Sequence, residues 1–343
     1  MSQSGKDPRL VPYGGTNLGT PLEIVDSLIV PSNQFFVRSN GPTPGIARDA
    51  WSLTIDGAVD LEISIDFPTL STLPRRTMTA FLECTGNGRS RFRPVAEGTP
   101  WKNDAAGNAV CTGVSLGEVL GLAGPLPSAV DVVTQGADLP EMRRGLPMLI
   151  ARDPDTMLVF EMNGEPLTAE HGGPVRLFVP GWAGIASTKW LTRLELWEKP
   201  FTGAFQGDLY VVFDEDGTPI APISLMPVKS VIADPIDGQT VSSSGVTVSG
   251  FAWSGYAGIS TVELNVDGAH DWLTADIVES AGPLSWCRWQ LELALPPGSH
   301  RISARATDQR DIQQPRRACW NQKGYLMNEI QSLDLTVVLP TGD

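Results

Sequence analysis

The sequence lacks a long hydrophobic run, since no stretch approaches the about 18 consecutive apolar residues that a membrane-spanning helix needs. Residues 1–17 are polar and contain neither an apolar core nor paired arginines, so they do not resemble an export signal. We therefore expect a protein without a membrane span. We also expect it to be cytoplasmic, or periplasmic if an export signal has been removed.

Positive charge is scarce: 25 lysines and arginines stand against 39 acidic residues, which gives a formal net charge of −14. No run of lysine or arginine offsets this excess. Such a surface repels nucleic acid and anionic membranes at long range, so we expect neither as a partner. A small anionic substrate would need a local pocket of arginines that works against the overall field.

Cysteine and histidine are also few, with four cysteines and three histidines in 343 residues. No two cysteines have the C-x-x-C spacing of zinc sites and thioredoxin-like motifs, and no C-x-x-C-H motif indicates attached haem, so we expect no haem. A cysteine in such a chain is by default a small buried hydrophobe. Any cysteine with a chemical role must therefore be identified by its neighbours.

The sequence divides into an arm at 1–20, a first domain at 21–229 and a second domain at 230–343. In the first domain, short strand-like runs and helical runs interleave irregularly, and no G-x-G-x-x-G follows a strand, which favours a mixed α+β fold over a doubly wound one. Residues 114–123 predict a short helix with Ser115 as its N-cap. Alternating patterns predict strands at 51–56, 77–82, 175–180 and 191–197.

The second domain shows short alternating runs at regular spacing, separated by turn residues such as Asp267-Gly268. This pattern predicts an all-β, immunoglobulin-like sandwich of roughly 100 residues. Its predicted strands include 246–251, 261–266, 288–293 and 301–306.

One cysteine has an unusual neighbourhood. Cys84 follows the predicted strand 77–82, lies in a glycine-containing turn, and precedes Arg89, Arg91 and Arg93. Nearby guanidinium groups favour the thiolate, which is a nucleophile and a soft metal ligand. The plain alternative is a structural cysteine in a tight turn with solvated arginines.

A second segment, residues 171–191, places His171, Arg176 and Lys189 around glycine-rich turns. Such turns expose backbone N–H groups, and together with basic side chains they suit a phosphate or a polyanionic cofactor. Taken alone, a histidine such as His171 is more often a hydrogen-bonded structural residue.

These segments, in order, resemble the sulfite oxidase family. Residues 83–90 are similar to its cysteine–small–Gly–Asn–x–Arg–Ser loop, residues 171–191 to its pterin-binding stretch, and residues 35–40 to its Phe–x–Arg–Asn–His segment. Residues 250–268, 304–308 and 320–324 resemble its C-terminal β-sandwich. The resemblance runs from about residue 33 to residue 338.

The resemblance implies a mononuclear molybdenum enzyme that oxidises sulfite, or a related sulfur oxyanion, to sulfate by a two-electron oxo transfer. Molybdenum would be held by molybdopterin and by the Cys84 sulfur. The electrons would pass to a separate acceptor, which is a cytochrome, another carrier or oxygen. The β-sandwich would mediate a homodimer.

The resemblance also implies roles for individual residues. Cys84 matches the metal ligand, Arg38 and Arg89 the anion-binding arginines, Trp101 a tryptophan beside the substrate, and Tyr210 the active-site tyrosine. Contacts to the pterin and its phosphate are implied for Asn40, Asp138, His171, Arg176, Ser187 and Lys189.

Ser39, Asn40 and Gly88 depart from the family's pattern, so a nitrate reductase-like enzyme or a dehydrogenase of protein-bound sulfur is the alternative within the family. Outside it stand a cofactor-free hydrolase, with Cys84 as nucleophile and His171 as base, and a binding protein with a degenerate cofactor site. The hydrolase requires the Cys84 thiol within hydrogen-bond reach of the His171 imidazole, whereas a degenerate site need keep none of the basic residues.

Overall fold

The computed structural model describes residues 5–214, 216–242 and 245–339. The described chain is built mainly from β-strands, and its α-helices are short connectors of four to six residues. These helices are α1 (Phe67–Ser71), α2 (Leu116–Gly121), α3 (Met148–Ala151) and α4 (Ala204–Gly207). None of the described helices is long and apolar enough to cross a membrane.

The first part of the chain contains a small N-terminal hairpin, two five-stranded sheets and a second hairpin. Its strands are β1 (Val11–Pro12), β2 (Leu18–Gly19), β3 (Ser52–Gly57), β4 (Ile63–Asp66), β5 (Arg75–Glu83), β6 (Ala106–Ser115), β7 (Asp131–Gly136), β8 (Arg143–Pro147), β9 (Met157–Met162), β10 (Glu165–Pro166), β11 (Arg176–Phe178), β12 (Leu191–Trp197), β13 (Val211–Phe213) and β14 (Pro219–Pro222).

The two larger sheets carry the site. One has the order β10-β9-β6-β5, with β11 also paired to β9, and the other has the order β4-β3-β12-β7-β8. The pair β3–β12 is parallel and the other pairs are antiparallel, which makes the second sheet mixed. This arrangement confirms the predicted α+β class, and β3, β5, β11 and β12 overlap the four strands that alternation predicted.

The predicted helix at 114–123 is confirmed in a shorter form as α2. Ser115 stands at its N-cap position but also ends β6, and its side chain makes no capping hydrogen bond. Leu116, Val119 and Leu120 are buried, which is the i, i+3, i+4 spacing of one helix face. Burial of this face against the sheet, rather than capping, therefore holds the short helix.

The second part of the chain is a β-sandwich, as predicted. Its strands are β15 (Lys229–Asp234), β16 (Thr240–Ser242), β17 (Val246–Trp253), β18 (Ile259–Val266), β19 (Leu273–Ser280), β20 (Cys287–Leu293), β21 (Gly298–Asp308) and β22 (Gln331–Val338). The first half of β19 pairs with β18 and the second half with β20, so this strand joins the two layers. Asp267 and Gly268 both have positive φ, in keeping with the turn predicted there.

A buried charged cluster joins the sandwich to the first domain. The Lys229 ammonium lies 3.3 Å from a carboxylate oxygen of Glu83, and both side chains are almost inaccessible to solvent. Trp253 donates its indole N–H to the other oxygen of Glu83 at 2.7 Å, and Asn87 donates to the carboxylate at 2.9 Å. Burial lowers the pKa of Lys229, while Glu83 opposes that shift.

Replacing Glu83 by glutamine should destabilise the protein by about 3–5 kcal/mol, because it leaves the Lys229 ammonium buried without a counter-charge. The double variant Glu83→Gln/Lys229→Met should recover most of this loss. Denaturant unfolding of the wild type, both single variants and the double variant measures the coupling. A loss in the double variant equal to the sum of the two single losses would show that the pair is not coupled.

Candidate functional site

Cys84 lies in a turn that backbone hydrogen bonds fix on both sides. It follows β5 directly; its N–H donates to Ala105 O at 2.9 Å, and its carbonyl accepts from Asn87 N at 2.9 Å. The Asn87 side chain accepts from Ala105 N at 3.0 Å, so it closes the turn from within. Cys84 is half-buried and borders a cavity.

Gly88, in the same loop, departs from the family's pattern for a steric reason. Its φ is +86°, which favours glycine, and a Cβ built there would lie 2.8 Å from Cγ of Met327. Any larger side chain at this position would therefore displace Met327, which belongs to the segment before β22.

A cavity that is partly open to solvent lies beside Cys84. Its wall brings together residues far apart in the sequence. Of the predicted site residues it is lined by Arg38, Asn40, Cys84, Asp138, His171, Arg176, Ser187, Lys189 and Tyr210.

One end of the cavity is strongly basic. The Lys189 ammonium donates to Ser39 Oγ at 2.7 Å and to Glu170 O at 2.9 Å, and it lies 4.3 Å from the centre of the Trp190 ring. Burial, reinforced by Arg176, lowers the pKa of Lys189 well below its ordinary value. Arg176 donates to the carbonyls of His171 and Ser187 at 3.1 and 3.0 Å.

Burial also lowers the pKa of His171 far below its ordinary value, and Lys6, Lys189 and Arg176 reinforce the shift. A second proton on this imidazole is therefore strongly disfavoured, and the ring is neutral at neutral pH. Its ring lies edge-on to Phe35, with the ring centres 5.6 Å apart.

The charges around the cavity fit a bound polyanion. Arg38, Arg176 and Lys189 border it, against two carboxylates, Asp138 and Glu170. Burying cations without counter-charges is costly, so an anionic group at this end would offset their desolvation. Thr85 Oγ1, at the same wall, is buried without a hydrogen-bond partner among the residues that the structure describes. This donor set suits the phosphate of a pterin cofactor.

The metal chemistry of the site points the same way. In the described ranges, no group of three or more histidine, cysteine and acidic side chains is arranged to hold a metal ion. A metal at Cys84 would therefore take its other ligands from a cofactor, and the sulfur of a thiolate is a soft ligand.

Arg38, Asn40 and Tyr210 form a second group of contacts on the cavity wall. Arg38 donates to Asn40 Oδ1 and to the Ser39 carbonyl. Asn40 Nδ2 lies 3.4 Å from the Tyr210 hydroxyl. Asn40, which stands where the family has a histidine, thus bridges the arginine and the tyrosine predicted to act on the substrate.

Arg89 and Trp101 do not reach the cavity wall. Arg89 is buried and donates to Lys323 O at 2.8 Å and to Thr99 O at 2.9 Å. Trp101 is fully buried, with its ring centre 4.5 Å from that of Tyr13. Their predicted contacts with the substrate stay predictions. In this conformation neither residue lines the cavity.

Ser187 and Asp138 both line the cavity, but their side chains have different surroundings. Ser187 Oγ accepts from Val179 N at 3.1 Å, so its side chain already fixes the local backbone. Asp138 borders the cavity, and burial raises its pKa. Either residue can meet a cofactor from its place on the wall.

Two residues near the site, Tyr325 and Arg144, were not predicted from the sequence. Tyr325, from the second domain, stacks on Tyr210 with ring centres 5.3 Å apart, and the Arg89 guanidinium lies 5.5 Å from the Tyr325 ring centre. Burial raises the pKa of Tyr325 to about 12. Arg144, with its pKa lowered to about 10 by burial, interacts electrostatically with both tyrosines. Neither residue lies within a segment that carries the family resemblance.

The comparisons with known proteins agree with this geometry. The family profile "Oxidoreductase molybdopterin binding domain" matches residues 40–205, and the profile "Mo-co oxidoreductase dimerisation domain" matches residues 221–335. Mitochondrial sulfite oxidase of Homo sapiens is 32% identical over 337 residues, covering 90% of this chain. The chain spans 62% of the length of that relative.

Two further relatives are matched over more of their own length. Sulfite oxidase of Gallus gallus is 31% identical over 90% of this chain and 74% of its own. The crystal structure of the sulfane dehydrogenase SoxCD from Paracoccus pantotrophus is 30% identical with a TM-score of 0.85, covering 95% of this chain and 86% of that one. The chain therefore belongs to the sulfite oxidase family of molybdopterin-binding oxidoreductases.

Proposed function

We propose that the chain is a molybdenum-dependent oxidoreductase that oxidises sulfite, or a related sulfur oxyanion, by two electrons. The observation that carries the proposal is the cavity whose wall brings Cys84 together with three cationic residues, Arg38, Arg176 and Lys189. A cofactor bound there supplies the metal-centred redox chemistry. The human and chicken relatives, which are sulfite oxidases, support this substrate class.

The chain's own residues would bind and orient the reactants. Arg176 and Lys189 would hold the phosphate of the pterin, and Cys84 would supply a thiolate to molybdenum. Arg38 would neutralise the substrate anion. Tyr210, held by the Tyr325 stack and by Asn40, would donate a hydrogen bond to it.

We further propose a homodimer formed through the second domain, supported by its match to a dimerisation domain. We propose that the electrons leave to a separate acceptor, which is a cytochrome, another carrier or oxygen. Spectral titration of the reduced enzyme with a cytochrome and with oxygen identifies the class of acceptor.

Oxidation of protein-bound sulfur is a second candidate, favoured by the likeness to the sulfane dehydrogenase over 95% of this chain. Steady-state rates with sulfite and with a cysteine persulfide on a carrier peptide separate the two. Nitrate-dependent oxidation of a reduced dye covers the nitrate reductase-like alternative. A sulfite rate at background in fully loaded enzyme contradicts the first candidate.

The cysteine hydrolase has less support. His171 is deeply buried, its pKa is strongly lowered, and Nε2 is engaged by Lys6 at 2.7 Å. Such an imidazole is a weak general base.

Replacing Cys84 by serine should abolish metal-dependent turnover, with a loss beyond the roughly 10–100-fold that changes around a metal's ligands cost. A hydroxyl is a poor substitute for a soft thiolate ligand. Metal analysis and fluorescence of the extracted pterin accompany the kinetics, and Cys319→Ser, an exposed cysteine, is the control. Wild-type enzyme without molybdenum and pterin, from a host that makes the cofactor, would contradict the proposal.

Replacing Arg38 by glutamine should raise KM for the anion by at least about tenfold, the effect of losing one charge-assisted contact of about 1.4 kcal/mol. Arg93→Gln, which removes an exposed arginine near the Cys84 loop, should leave KM unchanged. The ratio of KM values, measured with equally loaded enzymes, is the readout. Equal KM values for wild type and Arg38→Gln would show that the anion binds elsewhere.

A further inference from the structure

The N-terminal arm brings a lysine against the basic end of the cavity. Lys6 is half-buried, and its ammonium nitrogen lies 2.7 Å from Nε2 of His171. The same nitrogen lies 2.8 Å from Ser32 O and 3.2 Å from Phe35 O. Lys6 therefore connects the arm to both segments that the motifs single out, 35–40 and 171–191.

These three contacts account for every proton of the lysine. An ammonium has three N–H donors and no acceptor. The two carbonyl oxygens can only accept, and so the third donor points to His171 Nε2, which must accept with its lone pair. A neutral imidazole that accepts at Nε2 carries its proton on Nδ1.

The other tautomer has a weaker set of contacts. With its proton on Nε2, His171 would donate to Ser32 O at 3.2 Å, an oxygen that already accepts from Lys6 at 2.8 Å. That proton would also point at the Lys6 ammonium. The positive charge of Lys6 thus selects the Nδ1–H form.

Nδ1 is free to meet a ligand. His171 borders the cavity, and in the part of the chain that the structure describes no group hydrogen-bonds to Nδ1. Because Lys6 fixes the proton there, the ring offers a donor at this position rather than an acceptor.

We propose that Lys6 is a positioning residue of the cofactor site: its ammonium holds His171 as the Nδ1–H tautomer, so that the N-terminal arm completes the donor set that faces the bound cofactor. The chemical partner of Nδ1–H is a hydrogen-bond acceptor, an oxygen or ring nitrogen of the pterin cofactor. This inference rests on the proposed function for the identity of that ligand, and on the geometry alone for the tautomer.

The arm is anchored well enough to hold Lys6 in place. Asp7 N donates to Asn33 O at 3.0 Å, and Gln34 Nε2 donates to the Asp7 carboxylate at 3.1 Å. Farther along the arm, Asn17 Oδ1 accepts from Ser39 N at 2.9 Å. The arm thus contacts the 33–39 segment at both of its ends.

The charged groups around Lys6 and His171 determine the pH range in which the Nδ1–H tautomer is favoured. Lys6 faces Glu170 as well as His171, and burial lowers the pKa of Lys6 to about 8. His171 faces the cations Lys6, Lys189 and Arg176. As the pH rises through about 8, the ammonium loses its proton, the neutral amine can accept, and the preference for Nδ1–H disappears.

The first experiment records ¹⁵N shifts of the histidine rings in the intact wild-type protein. The chain has three histidines, so His171→Gln assigns the signal of His171. At pH 7 we expect a pyrrole-like Nδ1 and a pyridine-like Nε2, and we expect this pattern to be lost with a midpoint near pH 8. A pyrrole-like Nε2, or a doubly protonated ring, at pH 7 overturns the proposal.

The second experiment changes Lys6. Lys6→Met removes the hydrogen-bond donors and keeps an unbranched side chain of similar length. Lys6→Arg keeps a group that can only donate. The Nδ1–H pattern should be lost in Lys6→Met and kept in Lys6→Arg. Arg9→Gln, which removes an exposed arm cation paired with Asp7, is the matched control and should resemble the wild type.

The effect on the cofactor is read from the rate at which pterin leaves the loaded protein during dialysis, detected by fluorescence. Lys6→Met should release it about tenfold faster than the wild type and Arg9→Gln, the lower end of the roughly 10–100-fold cost of losing a supporting partner. Equal release rates overturn the cofactor part of the proposal.

The two proposals can fail separately. A protein without pterin that still shows the Lys6-dependent tautomer contradicts the proposed function and leaves the positioning role standing. A fully loaded, active protein whose His171 carries its proton on Nε2 contradicts the positioning role alone.

Discussion

The buried contact of Glu83 with Lys229 and Trp253 is the constraint on which the site depends. Glu83 immediately precedes Cys84, so these contacts hold the chain next to the thiol. Because two opposite charges are held out of water, separating them would leave each one unpaired at high cost. The two domains are therefore coupled at the residue next to the proposed metal ligand.

The cost of burying charge also governs the cavity, where cationic side chains outnumber carboxylates. Lys189 and Arg176 are buried with too few carboxylates near them, and burial lowers the pKa of both. The overall charge of −14 makes this local excess of cations more unusual. Such a site is stable when backbone carbonyls satisfy its donors, and it gains most when an anion fills it.

Three parts of the chain build the site together. The first domain supplies Cys84 and the cationic side chains that line the cavity. Tyr325 of the second domain stacks on Tyr210, and Lys6 of the arm contacts His171. Each contribution fixes the orientation of a group that another part provides. Contacts from residues outside the cavity hold reacting groups in a productive geometry.

The sequence by itself determined the class of fold, and it predicted which segments form the site. Alternation of apolar residues and the turn at Asp267 predicted the sandwich, because side chains in a strand alternate between its faces. The Cys84 loop and the run from His171 to Lys189 were readable because each is one continuous segment whose spacing carries the motif.

Only the tertiary structure decided which side chains face the cavity. Arg89 and Trp101 are close to Cys84 in sequence, yet they lie behind the wall, since a side chain's direction depends on what packs around it. Lys6 and Tyr325 reach the site from the two ends of the chain, and no local pattern records a contact across 165 residues such as that of Lys6 with His171. Packing of distant segments, and not local spacing, placed them there.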